Sequence, residues 1–143
     1  MPTSDKSAAP EILVDTSVAV ALLVSDHPHH ETTAAALGGR RLGLAGHAAF
    51  ETFSVLTRLP SPARRSAEVV AHLIRANFPA SRYLSAEASA TMVARIAAAG
   101  LSGGSVYDAL VAAAAVEHGV ALATRDRRAL PVYRWMEAQV ELL

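Results

Sequence analysis

Thirteen acidic side chains are spread along this chain of 143 residues, and four of them occur where exposed carboxylates are not expected. Asp15 ends the apolar run Ile12-Leu13-Val14. Glu51 lies inside Ala48-Ala49-Phe50-Glu51-Thr52-Phe53. Asp108 separates Val106-Tyr107 from Ala109-Leu110-Val111, and Asp126 follows Val120–Ala123 through Thr124 and Arg125. Each has an ordinary explanation taken singly. Asp15 and Asp126 suit the N-cap of a following helix, Ser105-x-x-Asp108 has the spacing of a capping box, and a helical Glu usually faces water. Together they carry more. Four carboxylates gathered at one place repel one another unless a cation lies between them. An all-oxygen site suits Mg²⁺ or Mn²⁺, and the chemistry such a site supports is hydrolysis of a phosphodiester, with one or two ions activating water and offsetting charge on the phosphate.

The elements needed to bring these acids together are visible in the pattern. Residues 11–14 form a strand apolar on both faces, as in a parallel sheet covered on both sides. A helix follows over about 16–25 and a second over 29–37, ended by Gly38-Gly39, then a short strand over 41–45. Residues 46–59 read as a helix, and Ser61-Pro62 opens another running to about Asn77. A strand over 82–84 leads to Ser85, which caps a helix to about Ala99. Ser105 begins the Ala-rich helix that stops before Gly119. A buried strand at 120–123, a short helix around 130–135 and a last strand around 139–142 complete the chain. Strands alternating with helices predict a three-layer α/β domain with a mostly parallel sheet. In such a sheet, strand ends and the first turns of the following helices share one edge. Residues 1–10, small and polar with two prolines, read as a flexible leader, and residues 11–143 as a single domain.

Composition narrows the function classes. Thirteen basic and thirteen acidic side chains cancel and hydrophobic residues make up 52%, which suits one buried core and argues against a strongly basic protein coating nucleic acid. The absence of cysteine excludes disulfides, zinc-thiolate sites and Cys nucleophiles. The longest apolar runs, Val18–Val24 and Ala109–Val116, fall far short of the roughly 20 residues a bilayer span needs. No secretory signal opens the chain, and the expected location is cytoplasmic.

Ile12-Leu13-Val14-Asp15-Thr16-Ser17, a lone helix acid at Glu51, Tyr107-Asp108-Ala109, and Leu122-Ala123-Thr124-Arg125-Asp126 resemble, in order and spacing, the PIN-domain ribonucleases, and within them the VapC-type toxins of bacterial toxin–antitoxin pairs. The resemblance covers residues 11–143. It implies a PIN-like fold, with a central five-stranded parallel sheet flanked by helices, and a Mg²⁺- or Mn²⁺-dependent endoribonuclease. Asp15, Glu51, Asp108 and Asp126 would be its acidic cluster, Asp15 and Asp108 as direct metal ligands and Glu51 and Asp126 through water. Thr16, Ser17 and Thr124 match the hydroxyl positions that orient the carboxylates. A homodimer, a VapB-like antitoxin and a structured RNA substrate, transfer or ribosomal, are the partners implied. Arg125 and Arg127 flank Asp126 and are candidates for simple ion pairs with it.

The remaining polar groups read more plainly. His27, His29 and His30 are irregularly spaced and read as solvent-exposed rather than as a zinc site. His47 shares a helix face with Glu51 and reads as exposed or locally hydrogen-bonded. Arg40-Arg41 and Arg64-Arg65 read as solvated, whereas Arg127-Arg128 adjoins Asp126 and is the pair favoured for RNA contact. Phe50, Phe53, Leu56 and the Val69–Ile74 face read as core or dimer surface. The alternative function is a non-catalytic PIN-like binding module, against which the intact acids count. A phosphorylated receiver would need a late Lys, and the only Lys is Lys6. A haloacid dehalogenase-type enzyme would need Asp-x-Asp, and Ser17 stands where the second Asp would be.

Overall fold

A computed structural model describes residues 10–143. Of the expected leader only Pro10 falls within that range; the rest lies outside the described residues. Four strands form one sheet: β1 (Glu11–Val14), β2 (Arg41–Leu44), β3 (Leu122–Thr124) and β4 (Val140–Leu142). They lie in the order β2-β1-β3-β4, every pair parallel. Helices connect and cover them: α1 (Thr16–Leu23), α2 (His30–Leu37), α3 (Ala48–Thr57), α4 (Ala67–Asn77), α5 (Ala86–Ala98), α6 (Gly104–His118) and α7 (Leu130–Trp135). None of them is long and apolar enough to cross a membrane.

Ile12, Leu13 and Val14 have no accessible surface, as a strand flanked by β2 and β3 and covered on both faces requires. Burial of each such side chain contributes about 1.5–3 kcal/mol. The Ala-rich α6 buries Ala109, Val111 and Ala112–Ala115, and its small side chains let the helix lie close to its neighbours. Gly119, in the left-handed conformation, ends it, since glycine adopts that backbone without Cβ strain.

Among the described residues the sheet has four strands rather than the expected five. The segment expected as a strand over 82–84 pairs only through an isolated Ala45–Arg82 bridge. Ala80 and Arg82 donate to the Leu42 and Leu44 carbonyls, and Gly46 donates back to Arg82. Pro79 has no N–H to give, and Ser85 is already committed to capping α5 through the Ala88 N–H, so little chain remains between them to extend a ladder. The helix expected from Ser61 begins at Ala67 instead. Ser66, not Ser61, accepts the Val69 N–H and satisfies the first turn, the usual function of an N-cap serine.

The segment holding that bridge runs so close to β2 that Gly43 has no room for a side chain: a Cβ there would collide with the Ala80 carbonyl. Overpacking against backbone cannot be relieved by a rotamer change. Gly43→Ala is therefore expected to lower stability by about 1–3 kcal/mol, measured by chemical unfolding. An unchanged midpoint would show that the segment yields freely.

Candidate active site

The strand order places a reversal between β1 and β3, because β2 lies to one side of β1 and β3 to the other. Open α/β sheets leave a crevice at such a switch point, beyond the carboxyl ends of the strands. Asp15 is the first residue after β1, and Asp126 stands two residues beyond the end of β3. Glu51 projects from the first turn of α3 and Asp108 from the early part of α6. All four carboxylates, with Thr16, Ser17 and Tyr133, line one small cavity of about 60 Å³.

Asp15 anchors the cavity. It is almost fully buried, and both of its oxygens are occupied. Oδ1 accepts from the Ser17 hydroxyl at 2.6 Å and the Val18 N–H at 3.2 Å. Oδ2 accepts from the Thr124 hydroxyl and from the Tyr133 hydroxyl at 2.9 Å. Burial pushes the carboxyl above its ordinary 3.8, against the downward pull of those four donors. The capping role inferred for Asp15 is thus real, since the Val18 N–H belongs to the first turn of α1, but it uses one of four hydrogen bonds.

The hydroxyls divide their work. Ser17 and Thr124 hold Asp15 and each also accepts a backbone N–H, from Arg125 at 2.9 Å and from Asp126 at 3.0 Å. They thereby tie the β1 end to the β3 end. Thr16 instead donates to Glu51 Oε2 at 3.0 Å, while His47 Nε2 stands 3.6 Å from Glu51 Oε1. Asp126 accepts the Arg128 N–H at 3.0 Å and the Arg128 guanidinium at 3.3 Å. The ion pairs considered with Arg125 and Arg127 are not the ones formed: Arg125 turns to the Thr33 hydroxyl at 3.2 Å, and Arg127 is exposed. The Arg128 side chain is 93% exposed. Gly103 rather than Ser105 precedes α6, with no side-chain cap, so the capping-box explanation of Asp108 fails.

Among the described residues, the Asp108 carboxylate accepts no hydrogen bond. Partial burial and then the like charges of Asp126, Glu51 and Asp15 raise its carboxyl from 3.8 to about 6. Burial and like charge both disfavour the ionised form, and the Arg128 guanidinium only partly opposes them. Oxygen-only donors and a small polar cavity fit a hard divalent cation. As the side chains stand, no three acid or histidine groups among the described residues close around one point. Asp15 would have to release one of its hydrogen bonds to become a ligand.

Tyr133 was not singled out from the sequence. It is 2% exposed, and burial and the Asp15 carboxylate hold its hydroxyl far up in the protonated form, so it serves as a donor. The only signal was that a buried Tyr needs a partner for its hydroxyl. The histidines at 27, 29 and 30 gather no zinc-like set: the His29 N–H donates to His27 Nδ1, and His30 Nδ1 meets the Ala21 carbonyl. Arg40 and Arg41 pair with Glu141 and Glu11.

The PIN domain family model matches residues 12–134. Ribonuclease VapC27 of Mycobacterium tuberculosis is 45% identical over 124 residues, covering 87% of this chain and 90% of the relative. The chain belongs to the VapC-type PIN-domain proteins. Ribonuclease VapC40 of the same species is 42% identical over 134 residues, covering 92% of this chain and 98% of the relative. Among solved structures, FitAcB from Neisseria gonorrhoeae aligns with a TM-score of 0.60 at 20% identity over 90% of this chain and 95% of that chain, a likeness of fold.

Two outcomes follow from this geometry. In the metal-free protein, a carboxyl raised on folding contributes stability below 3.8 that is lost as the pH rises through about 6. The melting temperature of metal-free Asp108→Asn should therefore gain on that of the wild type across this interval, and a constant difference would refute the shift. Tyr133→Phe removes a donor to a buried carboxylate and should cost about 1.5–3 kcal/mol in denaturant unfolding. A neutral result would mean that Asp15 is held without it.

Proposed function

We propose that the protein is a Mg²⁺- or Mn²⁺-dependent endoribonuclease that hydrolyses RNA phosphodiester bonds as the toxin of a toxin–antitoxin pair. The observation that carries this reading is the convergence of four carboxylates on one cavity at the sheet's switch point, with the Asp108 carboxyl raised by partial burial and by the like charges of its neighbours. Membership of the VapC-type PIN proteins, and relatives named as ribonucleases, support it.

Asp15 and Asp108 would hold the ion directly, with Glu51 and Asp126 acting through water. Bound there, a divalent ion supplies water activation and offsets charge on the scissile phosphate. Ser17, Thr124 and Tyr133 fix the Asp15 carboxylate, and Thr16 fixes Glu51. Such preorganisation spares the carboxylates rearrangement during the reaction. Arg127 and Arg128, exposed beside Asp126, would meet the RNA backbone. A VapB-like antitoxin, a homodimeric state, a transfer or ribosomal RNA substrate and a cytoplasmic setting complete the reading.

Incubation of the purified protein with RNA and Mn²⁺ or Mg²⁺ should give cleavage that chelator abolishes. Asp15→Asn and Asp108→Asn proteins with native circular dichroism should lose it by at least about a hundredfold. Cleavage that survives both substitutions overturns the site. An RNA left intact by wild-type protein with either metal favours the non-catalytic binding module.

A further inference from the structure

Phe50, read as core or dimer surface from its helical spacing, points outward: it is 64% exposed, and Tyr83 and Tyr107 are 51% and 49% exposed. These rings are not scattered. His47 and Tyr107 stack with centroids 4.8 Å apart and planes inclined by 12°. Phe50 lies 6.1 Å from His47 and 6.4 Å from Tyr83. The start of α3, the first turn of α6 and the segment beside β2 thus join in one exposed aromatic surface. Leaving ring faces in water forgoes their burial, so a continuous surface of them points to a ligand with a flat apolar face.

The surface is continuous with the acidic cluster. A cavity of about 620 Å³ is lined by His47, Phe50, Tyr107 and Arg58 together with Glu51 and Asp108, within the size range of small-molecule clefts. The same two carboxylates also line the small acidic cavity. Tyr107 and Asp108 are adjacent on α6, so a group on the ring has its neighbour at the acids. Arg58 is exposed and pairs with no carboxylate among the described residues, leaving its guanidinium for a phosphate or a base face.

We propose that His47, Phe50, Tyr83 and Tyr107 form a nucleobase-stacking subsite, which holds an unpaired base next to the scissile phosphate while Arg58 meets the adjoining phosphate. The proposal rests on the nuclease reading and adds to it a site for the base. Every base has a π face, so such a platform is tolerant of sequence. It cannot engage bases inside a duplex, whose faces are covered by their neighbours, and it therefore selects unpaired nucleotides.

The test uses the full chain carrying Asp108→Asn, to leave RNA uncut, and a short single-stranded RNA containing a fluorescent purine analogue. Stacking on the platform should quench the probe. Adding Tyr107→Ala or Phe50→Ala should weaken binding about tenfold, Tyr107→Phe should preserve it, and a blunt duplex of the same sequence should be insensitive to all three. A parent that does not quench the probe, alanine variants that bind like the parent, or equal losses for duplex and single strand overturn the subsite. So does a Tyr107→Ala protein that changes oligomeric state in size-exclusion chromatography but keeps its RNA affinity, which would make the rings a protein interface. Failure of the nuclease reading is separate, seen as wild-type protein with metal that cuts no RNA.

Discussion

A buried, fully occupied carboxylate is the constraint on which the rest of this site depends. Moving an ionised Asp out of water costs several kcal/mol unless its oxygens find donors. Asp15 finds four: the Ser17 hydroxyl and Val18 N–H beside it, Thr124 at the end of β3, and Tyr133 on α7. Two of those donors are more than a hundred residues away in sequence. The hydrogen bonds that stabilise the charge therefore also tie β1 to β3 and α7 to the sheet edge. Satisfied buried networks of this kind specify a single arrangement, because an alternative packing would strand a charge.

That arrangement gives each acid a different electrostatic position. Asp15 is saturated, Glu51 is held by Thr16, and Asp126 is partly offset by Arg128. Asp108 has no such support, and partial burial together with the repulsion of the cluster raises its carboxyl. Groups pushed from their ordinary titration range in a cleft are where chemistry is to be expected. The scaffold tolerates the repulsion because the surrounding core is closely packed, from the buried Ile12–Val14 of β1 to the alanines of α6.

The outward face of the site is aromatic where its interior is acidic. Ring faces accept any base, whereas the carboxylates require a phosphate and a cation. Glu51 and Asp108 belong to both surfaces, so positioning and chemistry share the first turn of α3 and the early part of α6. Strand-end placement fixes the acids to the sheet. The rings come from helix starts and a connecting segment, where substitutions disturb the core least.

What could be read from residue order alone was whatever is decided by near neighbours. Apolar runs and caps located β1, β3, α5 and α7, an apolar strand ending on Asp marked Asp15, and the order of the four acids identified the family. Contacts between distant segments followed another logic. Thr16 serves Glu51 rather than Asp15, Arg125 reaches Thr33, and Phe50 faces outward where its spacing with Leu56 left core and dimer surface both open. The expected fifth strand is reduced to the Ala45–Arg82 bridge, and Tyr133 carries no local mark of its bond to Asp15. Helical period and capping are set within a few residues. Which hydroxyl meets which carboxylate is set by strand order and by how closely segments approach, and only the packed sheet determines those.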